Sequence, residues 1–286
     1  MNKDLLINIE QRYDSFSKGQ KHIADFILEK YDKAAYITAA KLGSIVGVSE
    51  STVVRFATEL GFDGYPSFQA ALRDIIKTKL TAVQRMEIAS DRTDEHHILE
   101  AVLQSDMDNL KKTLEDSDST VFQNAVQAIL KAKKIYILGV RSSAALATFL
   151  GFYFNLIFDN VVSVHTNSVS EMFEQLFRVG EDDVVIGISF PRYSNRTVTA
   201  LKYAKDKNGT VISITDSNSS PLVPFSDYSL TAGNNMASFV DSLVAPLSVI
   251  NALIFAVGIH KKKDIYNNFE TLEDIWDEYN VYEKNE

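Results

Sequence analysis

The sequence predicts an all-α helix-turn-helix head followed by an α/β domain, in which a parallel five-stranded sheet has helices on both faces. Three observations lead to this prediction. Residues 38–61, TAAKLGSIVGVSESTVVRFATELG, have the spacing of two short helices joined by a tight turn. From residue 120 onward, short β-branched runs alternate with helical patterns, as they do in parallel sheets. The length of 286 residues leaves room for about two domains.

The composition narrows the class of protein. Hydrophobic residues make up 45% of the chain and Cys is absent, which predicts an intracellular globular protein without disulfides or a thiolate metal site. We find no amino-terminal signal pattern and no uninterrupted apolar run of about 18 residues, so a cytoplasmic protein without a membrane partner is expected. Of the net charge of −9, residues 1–80 contribute +1, from 11 Lys and Arg against 10 Asp and Glu. An acidic body with a near-neutral head fits a protein that touches DNA only through its head.

The helix-turn-helix motif is the most specific local signal. Gly43 is the small residue where the first helix presses on the second, and Gly47 supplies the turn. The apolar residues predicted to lock the pair are Leu42, Val46, Val48, Val53 and Phe56. Short polar side chains and an Arg on an exposed second helix suit the base edges of a major groove. The predicted DNA-binding residues are Ser49, which also caps the helix, Glu50, Ser51, Thr52 and Arg55. The alternative is an ordinary helical hairpin.

Flanking helices complete the head, which is predicted to span residues 1–78. Residues 17–20 form a capping box, followed by apolar residues at helical spacing. After the motif, residues 61–66 break the pattern, and Ser67 is predicted to cap another helix. The aromatic residues in this region suggest either a base-stacking platform or the core of the bundle, and the core is the commoner role. They are Phe62, Tyr65 and Phe68.

Residues 79–119 are predicted to form a helical connector. Apolar residues recur at amphipathic spacing at Ile98, Val102, Leu103, Met107, Leu110 and Leu114. This stripe must be covered by the second domain or by a partner subunit. The neighbouring side chains of His96 and His97 would point about 100° apart on a helix, which makes them a poor chelating pair. No metal site is expected.

The α/β domain is predicted over residues 120–263, with a helical tail over residues 264–286. Strands are predicted at residues 134–139, 161–165, 184–189, 210–215 and 228–231. Helices are predicted from Thr120 to Leu130, from Ser142 to Phe158, from Ser168 onward, from Asn195 to Lys207 and from Ser238 to Gly258. In the tail, Thr271 to Asp274 is predicted to cap a short helix with Leu272, Ile275, Trp276 and Tyr279. Sheets of this kind bind ligands at the carboxyl ends of their strands.

Two of these strand ends are rich in hydroxyl groups and arginine. The first strand runs into residues 139–143, GVRSS, and the third into residues 189–197, SFPRYSNRT. Hydroxyls and free N–H groups at helix amino termini hold phosphate well, and Arg adds charge. Plain helix capping would need one Ser per helix and no Arg. The predicted ligand-binding residues are Arg141, Ser142, Ser143, Ser189, Arg192, Ser194 and Thr197.

The head, from KGQKHIADFILEK through GVSESTVVRFATELGFDGYPSFQAAL, resembles the amino-terminal domain of RpiR-family transcriptional regulators. Residues 120–263 resemble the sugar isomerase (SIS) domain that follows it in that family. The resemblance implies phosphate loops after strands one and three, which fall on Gly139, Ser142 and Ser143 and on Ser189, Ser194 and Thr197. Arg141 stands where a second glycine often occurs, and PRYS replaces the usual Ser-Gly, so Arg is expected to hold the phosphate more than backbone alone. Gly43 replaces a commoner alanine, which the packing of the two helices should tolerate.

Two functional classes remain. The resemblance implies a transcriptional regulator of carbohydrate metabolism genes, neither enzyme nor cofactor-dependent, that binds a double-stranded DNA operator and a phosphorylated sugar. A homodimer or homotetramer is expected, because helix-turn-helix sites are read by paired heads and the apolar stripes of residues 98–114 and 239–257 exceed what one small sheet covers. The alternative is a sugar-phosphate isomerase carrying a helical head, which would need a general base and a second proton carrier near the phosphate loops. The candidates are His165, Glu171 and Glu174. Each has a structural reason to be there, so no catalytic residue is expected.

Overall fold

The computed structural model describes residues 5–79, 81–90, 95–165, 168–234 and 240–283. The chain divides into two compact units, Met1–Ile88 and Ala89–Glu286. A helical amino-terminal region followed by a five-stranded parallel sheet confirms the predicted fold class. The domain limits at residues 78, 119 and 263 stay predictions.

The described helices of the head are α1 (Leu5–Arg12), α2 (Lys18–Ala34), α3 (Ala39–Val46), α4 (Glu50–Glu59), α5 (Tyr65–Lys79) and α6 (Ala82–Ser90), the last crossing the division between the units. Hydroxyl caps begin three of these helices, because each free first-turn N–H needs an acceptor. Ser17 forms the predicted capping box with Gln20, and Thr38 accepts from Lys41 N. Ser49 accepts from Thr52 N at 3.3 Å, as predicted. Fully buried side chains of the head include Ile9, Ile23, Ile27, Leu42, Val53, Phe56, Phe68 and Leu72.

The predicted cap at Ser67 is wrong. Helix α5 begins two residues earlier, and the Ser67 hydroxyl donates instead to the Gly64 carbonyl at 3.0 Å. Pro66 lies in the first turn, where its missing N–H costs nothing. The neighbouring aromatics belong to the core, since Phe68 is fully buried and Tyr65 is 4% exposed.

The second unit contains the helices α7 (Ile98–Asp116), α8 (Ser119–Lys131), α9 (Ser143–Ile157), α10 (Val169–Leu176), α11 (Asn195–Asp206), α12 (Val244–His260) and α13 (Lys262–Glu278). Its strands are β1 (Ile135–Gly139), β2 (Val161–Val164), β3 (Val184–Ile188), β4 (Thr210–Thr215) and β5 (Tyr228–Thr231). They pair in the order β2-β1-β3-β4-β5, all parallel. One apolar cluster packs α8, α9 and α12 against one face of the sheet, and another packs α10 and α11 against the opposite face.

Three helix starts in this unit differ from the prediction. Asp118 rather than Thr120 caps α8, because its carboxylate accepts from two first-turn N–H groups, at 2.8 and 3.1 Å. Helix α12 begins at residue 244, whereas the predicted start at residue 238 lies outside the described residues. Helix α13 runs through Thr271, whose hydroxyl donates to the Asn267 carbonyl one turn earlier and does not cap a helix.

Within the described residues, no single helix is long and apolar enough to cross a membrane. Helices α12 and α13 meet that test only as a pair, by length and composition, and the chain bends by 98° between them.

The connector helix α7 packs on its own unit through a polar face. Asp106, Asn109 and Thr113 follow one another at helical spacing, so they share that face. The Thr113 hydroxyl accepts from Gly233 N at 2.7 Å, and an Asp106 carboxylate oxygen accepts from the Ser242 hydroxyl at 2.6 Å. A Cβ atom on Gly233 would lie 2.7 Å from the Asn109 carbonyl oxygen, so only glycine permits this contact. The second unit therefore leaves much of the predicted apolar stripe exposed, with Ile98, Leu103, Met107 and Leu114 between 52% and 77% accessible.

Candidate functional site

The carboxyl ends of β1 and β3 meet at the point where the strand order reverses. The chain continues from β1 to β2 on one side and from β3 to β4 on the other. Gly139 and Ile188 are partners in the register of the two strands. The loops that follow them therefore begin side by side and border a crevice of the kind that binds ligands in α/β sheets.

The loop after β1 brings the strand end close to the start of α9. A Cβ atom on Gly139 would overlap the Ser143 carbonyl oxygen and lie 2.9 Å from the Ala147 Cβ, so a side chain there would push the helix away. Ser143 is 4% exposed, whereas Ser142 is exposed at the N-cap position and makes no capping hydrogen bond. The first turn of α9 thus has no side-chain cap to compete with a ligand.

The loop after β3 has the same features. Ser194 stands at the N-cap of α11 without a side-chain capping bond, and its N–H donates to the Ser189 hydroxyl at 3.1 Å. Ser189 is 4% exposed and Thr197 is fully buried. The Thr197 hydroxyl has no hydrogen-bond partner in the described part of the chain. A buried hydroxyl without a partner is costly, which marks this turn as prepared for a further polar group.

Tyr193 fixes the second loop to the end of β4, a contact that the sequence analysis missed. Its hydroxyl donates to an Asp216 carboxylate oxygen at 2.6 Å. Burial, followed by the negative charge of Asp216, raises the pKa of Tyr193, so the phenol stays protonated and keeps donating. Two features of the sequence could have indicated this contact. Asp216 directly follows a predicted strand, and Tyr193 is the aromatic residue of PRYS in the loop after the neighbouring strand.

Two arginines in these loops have left-handed backbones. Arg141 has φ of 60° and Arg192 has φ of 63°. For a residue with a Cβ atom this conformation costs about 1 to 2 kcal/mol, whereas glycine adopts it freely. Both side chains are exposed, and neither guanidinium forms a hydrogen bond or ion pair with another described residue. Nothing within the described fold thus compensates the strain.

The residues considered for catalysis lie after β2 and on α10. His165 follows the edge strand β2, on the far side of β1 from β3, and is exposed. Glu171 and Glu174 are exposed on α10. Across the described residues, no group of three or more His, Asp or Glu side chains is arranged to hold a metal ion.

In the head, α4 presents the predicted DNA-binding residues at its amino-terminal half. The hydroxyls of Ser51 and Thr52 lie 2.9 and 2.8 Å from the Ser49 hydroxyl, so these three groups form one cluster around the cap. Glu50 and Arg55 are exposed, and Arg55 Nε donates to the Ser51 carbonyl at 3.4 Å. Val54, which was not among the predicted residues, is 38% exposed and precedes Arg55. An exposed methyl-bearing side chain on this face suits contact with a thymine methyl group.

Comparison with known families agrees with this architecture. Residues 3–79 match the model described as the helix-turn-helix domain of the rpiR family, and residues 128–256 match the SIS domain. The chain belongs to the RpiR family. The resemblance inferred from the sequence is thereby confirmed, as is its arrangement of a DNA-binding head before a SIS domain.

Relatives of this RpiR-family chain are similar over nearly their whole length. An uncharacterized helix-turn-helix transcriptional regulator from Haemophilus influenzae is 28% identical over 268 residues, 92% of each chain. The transcriptional regulator HexR from Pseudomonas aeruginosa is 25% identical over 272 residues, again 92% of each. Among solved structures, the sugar isomerase domain of an RpiR transcription factor from Sphaerobacter thermophilus has a TM-score of 0.59 at 25% identity, covering 62% of this chain and 99% of that one. Vibrio vulnificus NanR, solved with ManNAc-6P, shares the fold at 22% identity and TM-score 0.59, over 95% and 98% of the two chains.

Proposed function

We propose that this RpiR-family chain is a cytoplasmic regulator of carbohydrate metabolism genes, which reads a double-stranded DNA operator with α4 and is controlled by a phosphorylated sugar. The observation that carries the proposal is the pair of hydroxyl-rich loops on neighbouring strands, each leading into a helix without a side-chain cap. The positive end of each helix dipole and the hydroxyls of Ser143, Ser189 and Thr197 suit a phosphate. NanR, whose fold is similar, was solved with a phosphorylated sugar.

In this proposal the sugar is sensed and not converted. Isomerisation needs a base within hydrogen-bond reach of the reacting carbon. His165 follows the edge strand β2, one strand away from the crevice between β1 and β3, and Glu171 and Glu174 are exposed on α10. The curated relatives named above are transcriptional regulators. A coupled assay for aldose–ketose conversion tests the alternative, because turnover by the purified chain would identify it as an isomerase.

The experiment that tests sensing combines Ser143→Ala with Ser189→Ala. A ligand shifts DNA binding only by its difference in affinity for two conformations, and such coupling is usually about 5-fold to 150-fold. We expect the double variant to bind the operator normally without sugar and to lose this response. The matched control is Ser226→Ala combined with Ser248→Ala, because each of these hydroxyls donates to a backbone carbonyl four residues earlier in its own segment. A full response in the double variant would refute the site, and no response of the native chain to any sugar phosphate would refute sensing.

We further propose that a second copy of the chain covers its exposed apolar surface. Helices α9, α12 and α13 border an open cavity of about 710 Å³, whose lining includes Tyr153, Phe255, Ile259 and Tyr266. Phe255 is 71% exposed, and Ile259 and Tyr266 are each 59% exposed. Surfaces of this kind mark interaction sites, and helix-turn-helix heads read paired half-sites as dimers. Sedimentation should give a dimer or tetramer at micromolar concentration, and a monomer would contradict the proposal.

A further inference from the structure

The candidate site contains both buried and solvent-exposed polar groups. Its buried hydroxyls belong to Ser143, Ser189 and Thr197, and that of Thr197 has no partner in the described part of the chain. The guanidinium groups of Arg141 and Arg192 are exposed at the same edge of the sheet. A sugar phosphate whose phosphate reaches the buried hydroxyls therefore directs its other end toward solvent, where the two arginines lie.

The buried groups can serve a phosphate without the arginines. Together with Ser142 and Ser194, they offer five hydroxyls, and the first turns of α9 and α11 add backbone N–H groups. Such donors at helix amino termini are a sufficient phosphate site. Although Arg was expected from the sequence to hold the phosphate, these donors leave Arg141 and Arg192 available for another anion.

The arginines are also unnecessary for the fold. Both have a backbone conformation that favours glycine, and neither side chain has a partner among the described residues. A guanidinium presents a rigid fork of donors that matches a carboxylate or a phosphate. Two such forks, one from each loop, suit a second anion at the exposed end of the ligand.

We infer that the effector carries a second anionic group besides its phosphate, as in a phosphorylated sugar acid or a sugar bisphosphate, and that Arg141 and Arg192 bind it. This inference rests on the proposed sensing of a phosphorylated sugar. It goes further, because it names the class of sugar phosphate and the residues that select it.

Matched pairs of ligands test the selection directly. Calorimetry would compare glucose 6-phosphate with 6-phosphogluconate, and fructose 6-phosphate with fructose 1,6-bisphosphate, on the full chain. The members of the fructose pair differ only in the second phosphate, whereas 6-phosphogluconate also differs from glucose 6-phosphate in being an open chain. Hydrogen bonds to charged groups are worth enough for about 10-fold or more in affinity. We expect the doubly anionic member to bind at least about 10-fold more tightly in one or both pairs.

The variant that tests the residues is Arg141→Gly combined with Arg192→Gly. Glycine takes the left-handed conformation without strain, so the variant should fold with an unchanged or higher melting temperature. The preference for the second anion should disappear, while affinity for the singly anionic member changes by less than about 3-fold. Two controls are Asn208→Gly, another left-handed residue with φ of 61°, and Arg178→Ala, which removes a cation at the C-terminal end of α10. Neither control should alter the preference.

The outcomes separate the two levels of the proposal. Equal affinity within both pairs would overturn the inference and leave phosphosugar sensing intact. A preference that survives in the double glycine variant would also overturn it, because other residues would then bind the second anion. If none of the four sugar phosphates binds while inorganic phosphate also fails to stabilise the chain, the proposed function fails and this inference fails with it.

Discussion

Arg55 has the longest side chain among the predicted DNA-binding residues and lies exposed on α4. If it contacts a base edge, Arg55→Ala should cost about 1 to 3 kcal/mol at the operator and much less on random DNA. Fluorescence anisotropy would measure the affinity for operator and for random DNA. Both titrations should use one salt concentration, because the strength of phosphate contacts depends on salt. Thr58→Ala, at the other end of α4, is the control. Equal losses on both DNAs would assign Arg55 to the phosphate backbone.

Tyr65 joins two segments of the head through its buried hydroxyl. The hydroxyl donates to the carbonyls of Ala34 and Ile37, at 3.1 and 3.0 Å. Tyr65→Phe leaves both acceptors without this donor, so we expect the free energy of unfolding to fall by about 1 to 2 kcal/mol at pH 7. Urea unfolding followed by circular dichroism would measure the change. Tyr31→Phe is the control, since the Tyr31 hydroxyl forms no hydrogen bond in the described part of the chain.

The same residue predicts a pH dependence. Burial raises the pKa of Tyr65 to about 12 from the ordinary value of 10. Above pH 10 the unfolded chain loses the Tyr65 proton while the folded head keeps it. The contribution of Tyr65 to the free energy of unfolding is therefore complete below pH 10 and declines as the pH rises toward 12. The decline is at most about 1.4 kcal/mol per pH unit. The Tyr65→Phe variant lacks this pH-dependent decline. The difference in free energy of unfolding between the native chain and Tyr65→Phe should therefore narrow between pH 10 and pH 12. A constant gap would contradict this assignment.

Local chemistry made some residues predictable and others not. Gly47, with φ of 75°, and the Ser49 cap follow from turn and helix-end preferences that act over a few residues. The bond between Tyr193 and Asp216 spans 23 residues and exists only because β3 and β4 are neighbours. The left-handed arginines were noted as departures from glycine, but their φ angles and lack of partners required the structure.

At the scale of the element, the contact between α3 and α4 depends on Gly43. A Cβ atom at this position would lie 2.7 Å from the Val48 carbonyl oxygen, which is backbone and cannot rotate away. Glycine in place of a commoner alanine was expected to be tolerated here, and the structure goes further, because an alanine would strain this contact. Gly43→Ala should lower the stability of the head by about 1 to 3 kcal/mol, the usual cost of overpacking.

The matched control for that prediction is Ser44→Ala, one residue further along α3 and exposed. It should be neutral or slightly stabilising, because alanine has the higher helix propensity. Thermal unfolding of both variants would compare them. A melting temperature of Gly43→Ala equal to that of the native chain would show that the two helices move apart without cost.

The periodic parts of the elements were predictable, and their ends were less so. Five strands and the helices between them follow from apolar spacing because each must bury one face or two. Ser67, Thr120 and Thr271 were taken for caps, yet two of these hydroxyls donate to carbonyls and Asp118 takes the role of the third. A hydroxyl near a helix suits either arrangement, and the surrounding chain decides between them. Helix α1 was not predicted, and α6 lies within the connector, which was predicted to be helical without separate helix bounds.

At the scale of the whole molecule, we expect α7 to transmit the response to the sugar. Its Thr113 holds Gly233, two residues beyond β5 at the carboxyl edge of the sheet where the ligand is proposed to bind. We expect Thr113→Val to leave sugar binding nearly intact but to reduce the effect of the sugar on operator affinity to less than about 5-fold. Calorimetry and anisotropy would measure the two quantities separately.

The control for the relay is Thr120→Val, an exposed position on α8. A normal response in Thr113→Val would mean that coupling follows another route. Loss of sugar binding itself would instead place Gly233 within the ligand site. The three results differ because coupling is a free energy shared between two binding events and can change without changing either one alone.

The two left-handed arginines also bear on how this site changes over generations. Every glycine codon differs by a single base from an arginine codon. Each of the six arginine codons likewise differs by a single base from a glycine codon. The backbone at residues 141 and 192 already has the conformation that glycine adopts without strain. Exchange between the two residues therefore needs a single mutation and no movement of the loop. On the inference that these two arginines select the ligand, its preference can change from one lineage to the next while the sheet and helices around it stay unchanged.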